Sequence, residues 1–334
     1  MLDISIMIDS ATWPQWQRVT RLAEELGYAG LYCGDHLATA AAPDQHHLDL
    51  VVALTYVAAQ TQRLRFGSCV SPISLRDPVL YTRQAVAIND LSGGRMVLGL
   101  GAGWNADEHH VWGYPFDAAP VRWARLQEGI EVATRLLRTD GPVTYHGRFF
   151  QLHDAAVLPR AARPPGPLIL VGGNGRTRTL PLVARYADSW NALDLTPAQF
   201  RAHSAALDDL IQAAGRQPAD VRRTLMTRVE FGRDPQELDR RMGWRHTHPD
   251  YAGKPLAEVL RAQRDEEASL AGLPHEVADQ IAALARAGVQ ELMLLFEADD
   301  VEGIELFAES VLPRIHASQR DAHPVAYPQE KNND

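Results

Sequence analysis

The chain has 334 residues, of which 46% are apolar and 22% are charged, an ordinary composition for a globular protein. Its net charge of −9 argues against nucleic-acid and anionic-membrane partners, because both reward a basic face. The two cysteines, Cys33 and Cys69, do not make a disulfide framework, and no apolar run is long enough to cross a membrane. Since the N-terminus also lacks a basic and then apolar leader, we expect a cytoplasmic protein.

Short runs rich in valine, isoleucine and leucine alternate with longer amphipathic stretches, a pattern that predicts strands alternating with helices. The predicted strands are, in chain order, Ile4–Asp9, Gly30–His36, Leu64–Val70, Met96–Gly101, Leu168–Gly172, Ser189–Leu193, Thr224–Phe231 and Glu291–Phe296. The predicted helices are Trp13–Leu26, Leu48–Gln60, Pro78–Leu91, Pro120–Arg138, Arg176–Tyr186, Pro197–Ala214, Pro274–Ala287 and Val301–His316.

Three segments fall outside this alternation. Val143–Leu152 has the pattern of a hairpin, Gly232–Ser269 is a polar stretch that we predict to be partly helical, and residues 317–334 form a polar tail that we predict to be disordered. Eight strands separated by helices predict an α/β fold, a (β/α)8 TIM barrel over residues 1–316, interrupted between strands seven and eight at about 232–269. The rival, a doubly wound open sheet, carries a glycine fingerprint after strand one, where this chain has none.

In such a barrel the catalytic groups lie where the strands end. The second strand ends in Asp35-His36, and a histidine beside a carboxylate can act as a general acid or base at neutral pH. The alternative is that Asp35 caps the loop and His36 simply packs there. The residues alone leave both readings open.

Glycines follow two further strands. Gly172-Gly173-Asn174-Gly175 leads into a helix near Arg176, which favours a phosphate site over a merely flexible turn. The glycines before Trp104 are a weak dinucleotide signal, and we expect them to keep the barrel mouth open for a flat ring. Clusters such as Asp107-Glu108-His109-His110 lack the spacing of zinc sites, so we predict no metal.

Six segments taken together resemble the luciferase-like monooxygenase superfamily, and within it the branch that uses the deazaflavin coenzyme F420. They are LAEELGYAGLYCGDH (Leu22–His36), LRFGSCVSPISLRDP (Leu64–Pro78), LSGGRMVLGLGAGWN (Leu91–Asn105), VTYHGRFFQL (Val143–Leu152), PLILVGGNGRTRTLPLVARYADSWN (Pro167–Asn191) and AGVQELMLLF (Ala287–Phe296). The likeness covers roughly residues 1–316.

This resemblance implies a TIM barrel with a flavin-like ring at its mouth and the insertion already noted. It implies that Asp35 contacts the cofactor, that His36 faces the substrate, and that the Cys69–Val70 peptide is cis behind the ring. Relatives in this family are commonly homodimers. The remaining cofactor contacts that the resemblance implies are Cys69, Val70, Ser71, Ala102, Gly103, Asp107, Gly172, Gly173, Gly175 and Arg176.

The chain departs from the sugar-phosphate dehydrogenases of this family at two places. Those enzymes have a glutamate where Trp104 stands, and a tryptophan soon after the Asp-His pair, where this chain has Leu37-Ala38-Thr39-Ala40-Ala41. These departures argue against glucose 6-phosphate as the substrate. We expect Trp104 and Trp190 to line, with His36, a more apolar substrate pocket.

The favoured function is that of an F420-dependent oxidoreductase, in which a hydride moves between the deazaflavin and a small organic substrate. We expect it to reduce an activated C=C, C=N or C=O bond, with His36 exchanging a proton with the substrate and Asp35 orienting the ring or His36. One alternative is an FMN-dependent monooxygenase on the same fold that uses reduced flavin and oxygen. Another is a cofactor-binding barrel that has lost turnover.

Overall fold

The computed structural model describes residues 2–37, 45–158, 160–161 and 166–322, with side chains to residue 317. Residues 38–41, part of the segment that lacks the tryptophan, lie outside the described residues, as does the tail from residue 323. The boundary of a single domain at residue 316 and the disorder of the tail therefore stay predictions.

Eight parallel strands close into a barrel, in which each strand pairs with the next and the last pairs with the first. They are β1 Asp3–Ile8, β2 Gly30–Cys33, β3 Arg65–Ser68, β5 Met96–Gly101, β8 Leu168–Gly172, β9 Ser189–Leu193, β10 Arg222–Phe231 and β12 Glu291–Leu295. The other strands are β4 Ser71–Pro72, which pairs with β5, the hairpin β6 Val143–His146 and β7 Gln151–Ala155, and β11 Leu270–Gly272 beside β10. The predicted (β/α)8 barrel is confirmed.

Helices follow the barrel strands and cover the outside of the sheet. They are α1 Trp13–Glu25, α2 Leu50–Gln60, α3 Pro78–Leu91, α4 Ala106–Trp112, α5 Ala119–Arg138, α6 Thr179–Tyr186, α7 Pro197–Ala213, α8 Pro235–Arg241, α9 Leu256–Asp265, α10 Pro274–Arg286, α11 Val301–Ser310 and α12 Leu312–Ala322. Short 3₁₀ helices occupy Pro218–Asp220 and Met242–His246. Among the described residues, no helix is both long and apolar enough to cross a membrane.

Several predicted boundaries are wrong, and two of these errors matter for the site. Strand β2 ends at Cys33 rather than His36, and β3 ends at Ser68, after which the Cys69–Val70 peptide is cis, as the resemblance implies. The residues that follow each strand therefore leave the sheet. Their side chains are free to meet at the barrel mouth instead of pointing alternately into the barrel and toward the helices.

The closing helix and the insertion also differ from the prediction. The closing helix breaks between α11 and α12, because Pro313 has no N–H to continue the ladder of α11. The helix predicted from Arg176 begins at Thr179, since the glycine turn runs on for three further residues. The insertion is partly helical, as predicted, with α8, the 3₁₀ turn and α9, and it ends in the unpredicted short strand β11.

Charged residues at the opposite end of the barrel are paired with one another. The buried Glu291 accepts hydrogen bonds from Ser5 and Tyr32 at 2.7 and 3.1 Å. Arg222 donates to Asp3 at 2.6 Å nearby. All of these lie at or near the starts of strands, the end that stabilises a TIM barrel, whereas function is carried at the other end.

Candidate active site at the barrel mouth

Asp35 lies just beyond β2 and is almost completely buried. The guanidinium of Arg76 donates a hydrogen bond to each oxygen of Asp35, with Nε 2.8 Å from Oδ2 and Nη2 2.9 Å from Oδ1. The hydroxyl of Ser71, at the start of β4, donates to the same carboxylate. A buried carboxylate with this much hydrogen bonding is held in one position, so Asp35 is suited to fixing its neighbours. Sequence reasoning did not single out Arg76, whose only signal was its place two residues before Pro78.

His36 points toward carboxylates from two other elements. Its Nδ1 lies 3.2 Å from Oε2 of Glu108, and its Nε2 lies 3.8 Å from Oδ1 of Asp9, which follows β1. Burial, the largest single influence, lowers the pKa of His36, but the hydrogen bond with Glu108 and the charges of Asp9, Glu108 and Asp35 together raise it above the ordinary 6.5. The ring therefore holds a proton more tightly than a free imidazole does.

Glu108 reaches His36 from α4, a seven-residue helix that the periodicity did not predict. The carboxylate is buried, and it also accepts the backbone N–H of Leu37 at 2.5 Å. Asn105 caps this helix by accepting the N–H of Glu108 at 3.1 Å. The signal was present in the sequence, since asparagine followed three residues later by glutamate is typical of a helix start.

Val70 fills the space between two neighbouring strands at the mouth. A Cβ on Gly101 would lie 2.5 Å from a methyl group of Val70, and one on Gly172 would lie 3.0 Å from the other methyl group. These two glycines thus make room for Val70, a correction to the expectation that Gly101 keeps the mouth open for a ring. Cys69 faces the barrel interior, where its sulfur accepts from Asn191 at 3.2 Å and burial raises its pKa to about 12.

The turn after β8 forms a cradle of backbone. Gly173 has φ +125°, a region that suits glycine alone, and Asn174 ties the turn to the end of β9 through two hydrogen bonds. The hydroxyl of Thr179, at the first position of α6, is buried beside these glycines, and no described residue forms a hydrogen bond with it. Arg176 is exposed at the edge of the turn. The backbone N–H of Gly173 donates to the carbonyl of Asn191, so the groups of this turn that suit a phosphate are the hydroxyl of Thr179 and the cation of Arg176.

The remaining predicted cofactor contacts lie on the loop after β5. Ala102 and Gly103 are half-buried, with Gly103 at φ +77°, and they lead from the barrel into Trp104. Asp107 is exposed in the first turn of α4, one residue before Glu108. This loop therefore brings the predicted Ala102, Gly103 and Asp107 to the same edge of the mouth as His36.

The two tryptophans of the predicted substrate pocket lie in different surroundings. Trp104 is 74% exposed, and its ring stands edge-on to His36 with a centroid separation of 6.0 Å. Trp190 is fully buried outside the barrel sheet, stacked on Phe200, and its N–H donates to the carbonyl of Gly173 at 2.9 Å. This placement corrects the expectation for Trp190, which supports the glycine turn from behind and does not line a pocket.

A cavity of about 740 Å³ opens on the same end of the barrel, between the insertion and the ends of β10 and β12. Its walls include Arg228, Glu230, Trp244, Glu267 and Glu297. Burial raises the pKa of Glu230 to about 7, against the lowering influence of Trp244, Arg228 and Arg241. Sequence reasoning named Arg228 and Glu230 only as the end of strand seven.

Comparisons with known proteins show which family the chain resembles. The profile of the family described as luciferase-like monooxygenase matches residues 4–291. An F420-dependent glucose-6-phosphate dehydrogenase of Kineococcus radiotolerans is 30% identical over 229 residues, which span 66% of this chain and 66% of that protein. The 4-hydroxyprotoasukamycin monooxygenase of Streptomyces nodosus subsp. asukaensis is 27% identical over 332 residues, 88% of this chain and 85% of that protein.

Among solved structures, an F420-dependent secondary alcohol dehydrogenase in complex with an F420-acetone adduct has the same fold. It superposes with a TM-score of 0.76 at 19% sequence identity and covers 94% of this chain and 99% of its own. The family profile covers the first seven barrel strands and reaches the first residue of the eighth. The chain therefore belongs to the luciferase-like monooxygenase family.

Proposed function

We propose that this protein is a coenzyme F420-dependent oxidoreductase that transfers a hydride between the deazaflavin and a small organic substrate. The observation that carries the proposal is the arc of the mouth formed by the ends of β2, β3, β5 and β8. Along it, Ser71 bonds to Asp35, which precedes His36, and the neighbouring Val70 packs against Gly101 and against Gly172 at the start of the glycine turn.

The residues of this arc fit the cofactor that the relatives use. The unpartnered hydroxyl of Thr179 and the exposed Arg176 would hold the phosphate on the backbone of Gly172, Gly173 and Gly175. Cys69, Val70 and Ser71 would support the ring from below, and Ala102, Gly103 and Asp107 would meet it from the loop after β5. The cofactor supplies the hydride chemistry when bound.

The protein's own residues would bind, orient and exchange a proton. Asp35, fixed by Arg76, would hold the ring and the peptide that carries His36, and His36 would exchange a proton with the substrate. Trp104 presents an exposed apolar ring beside His36, which suits an organic substrate with a reducible C=C, C=N or C=O bond. This pocket lacks the glutamate that the sugar-phosphate dehydrogenases have at the position of Trp104.

An FMN-dependent monooxygenase is the second candidate. It is supported by the Streptomyces relative, which is named as a monooxygenase and aligns over 88% of this chain. FMN also carries a phosphate, so the glycine turn by itself does not favour one cofactor. The Asp35-His36 pair after β2 favours the deazaflavin.

A direct binding comparison separates the two candidates. Purified protein without cofactor would be titrated with F420 and with FMN, each oxidised and reduced, and followed by fluorescence and calorimetry. We expect micromolar binding of F420 and much weaker binding of FMN. Preference for FMN, together with oxygen consumption by the reduced complex, would overturn the deazaflavin assignment.

A matched pair of arginines tests the phosphate cradle in the same assay. Arg176→Ala should weaken F420 binding about 10-fold, with a reduced dependence on salt, because a cation beside the phosphate is lost. Arg185→Ala removes the same charge from the far end of α6 and should leave the affinity unchanged. Equal affinities of the two variants would place the phosphate elsewhere.

We also propose a cytoplasmic homodimer. The free thiols of Cys33 and Cys69 suit a reducing compartment. Val52 on α2 and Leu80 on α3 are more than half exposed on neighbouring helices, which supports an interface on this face of the barrel. Light scattering should give a dimer for the wild type and a monomer for Val52→Asp, and a monomeric wild type would reject the homodimer.

A further inference from the structure

A carboxylate lies near each of the two ring nitrogens of His36. Nδ1 lies 3.3 and 3.2 Å from the two oxygens of Glu108, and Nε2 lies 3.8 Å from Asp9. A carboxylate only accepts hydrogen bonds, so Nδ1 carries a proton directed at Glu108. Glu108 is itself held in place, because its Oε1 accepts the N–H of Leu37 and its helix is capped by Asn105.

We propose that Glu108 is a positioning residue that holds His36 as an imidazolium, with Nδ1–H bound to Glu108 and Nε2–H turned toward the barrel mouth. His36 then stands ready as the proton donor that reduction of a substrate needs. This inference rests on the proposed function and adds to it a residue and a protonation state.

The other charges around His36 favour the same state or are already neutralised. Asp9 approaches from the loop after β1 and, like Glu108 on α4, stabilises a positive ring. Asp35, the preceding residue, is paired with Arg76. His47, before α2, lies with its ring centroid 5.8 Å from that of His36, and burial lowers the pKa of His47, so it adds little competing charge.

The step balances without a further reactant. The substrate's double bond gains a hydride on one atom from the reduced deazaflavin that the proposed function supplies, and a proton on the neighbouring atom from Nε2 of His36. The Nε2–H bond breaks as the new bond to hydrogen forms, and the ring is left neutral with its remaining proton on Nδ1, still bound to Glu108. Solvent then returns the proton.

The first test needs neither cofactor nor substrate. Histidine-selective ¹⁵N labelling and a pH titration by NMR would follow His36 in the cofactor-free protein, with His36→Asn identifying its signals. We expect both ring nitrogens to be protonated at neutral pH, and the midpoint to fall by about one pH unit or more in Glu108→Gln. Glu309→Gln, which removes the same charge from the exposed side of α11, should leave the midpoint unchanged.

A neutral His36 at pH 7 in the wild type would overturn the inference, and this measurement holds even if Glu108→Gln fails to fold. A midpoint that does not move in a folded Glu108→Gln would also overturn it. Asp9→Asn supplies a second variant, which should lower the midpoint by a smaller amount because its carboxylate is exposed and more distant.

The pH dependence of turnover tests the same inference in the enzyme with F420 bound. The reductive rate should fall as the pH rises through the His36 midpoint, and in Glu108→Gln this falling limb should move to lower pH, with roughly a 10-fold loss at neutral pH. A purely structural role for Glu108 would lower the rate at every pH without moving the limb. Failure to bind F420 would reject the proposed function, while the NMR titration would still decide the state of His36.

Discussion

The mouth of this barrel has two halves that are built differently. On the side of β2 to β8, the polar groups are buried and paired, as Asp35 is with Arg76 and His36 is with Glu108. On the side of β10 and β12, the insertion leaves a wide cavity in which Arg228 and Glu297 are exposed. The first half is suited to holding one rigid group in one place, and the second to admitting varied ligands.

The difference shows how a shared fold separates cofactor from substrate. Buried ion pairs are costly to rearrange, so the paired half should tolerate little change. Replacing an exposed charged residue changes the free energy of unfolding little, so the cavity half can vary without loss of the fold. The variants below compare the effects of substitutions in the two halves on turnover and on the free energy of unfolding.

The largest effect is expected at His36. His36→Ala should lower turnover by roughly 10²–10⁴-fold, because the proton exchanged with the substrate loses its partner, while F420 affinity is nearly kept. Steady-state kinetics and a binding titration would check this, with His275→Ala on the exposed side of α10 as the control. Turnover equal to that of the wild type would remove His36 from the mechanism.

The next effect compares an arginine from each half. Arg76→Met should lower the free energy of unfolding by about 3–5 kcal/mol, because it leaves the carboxylate of Asp35 buried without its cation. Arg228→Met, at the exposed wall of the cavity, should change it by about 0.5 kcal/mol or less. Urea unfolding would measure both, and similar losses would show that the two halves are not built differently.

Glu230 is the exception within the cavity half. Its folded-state pKa of about 7 lies above the ordinary 4.5, so its contribution to stability is fully present below about pH 4.5 and is lost as the pH rises to about 7. At about 1.4 kcal/mol per pKa unit, the loss is of the order of 3–4 kcal/mol. Glu230→Gln should remove this part of the pH dependence and be the more stable protein at pH 8.

Unfolding measured between about pH 5 and pH 8 would test this expectation. Glu297→Gln removes an exposed carboxylate from the same cavity, so its curve should keep the shape of the wild type. If the curve for Glu230→Gln also keeps that shape, the carboxyl group of Glu230 is solvated in the folded protein. Glu230 would then be no exception among the exposed charges of the cavity half.

Strand periodicity was enough to predict the paired half in outline. It placed Asp35-His36, Cys69-Val70 and Gly172-Gly173 at the carboxyl ends of three barrel strands, and the rule that function lies at this end of a barrel brought them together. It did not identify Arg76 or Glu108, because each meets its partner across a distance of 41 or 72 residues in the chain. Such partners follow from the closed barrel, and not from any local pattern.

The cavity half was less predictable for a similar reason. The insertion could be recognised by its polar composition, but not the way in which Trp244 and Glu267 close over the ends of β10 and β12. Trp190 shows a different error. It lies within β9, where the alternation of side chains turns it outward onto Phe200. The strand was predicted correctly, and the direction in which this side chain faces was not.

The smallest expected effect comes from removing one atom of the paired half, the hydroxyl oxygen of Thr179. Within the described part of the chain, the hydroxyl of Thr179 is buried without a hydrogen-bond partner, a state that is unfavourable for the protein by itself and that supports the proposed contact with a phosphate. Thr179→Val has nearly the same shape, so stability should stay equal or rise slightly, while F420 affinity should fall about 3- to 10-fold as one hydrogen bond to the phosphate is lost. Thr179→Ser keeps the hydroxyl and should keep the affinity. Unchanged binding in Thr179→Val would mean that the backbone of the glycine turn holds the phosphate without this hydroxyl, because valine removes the donor and little else.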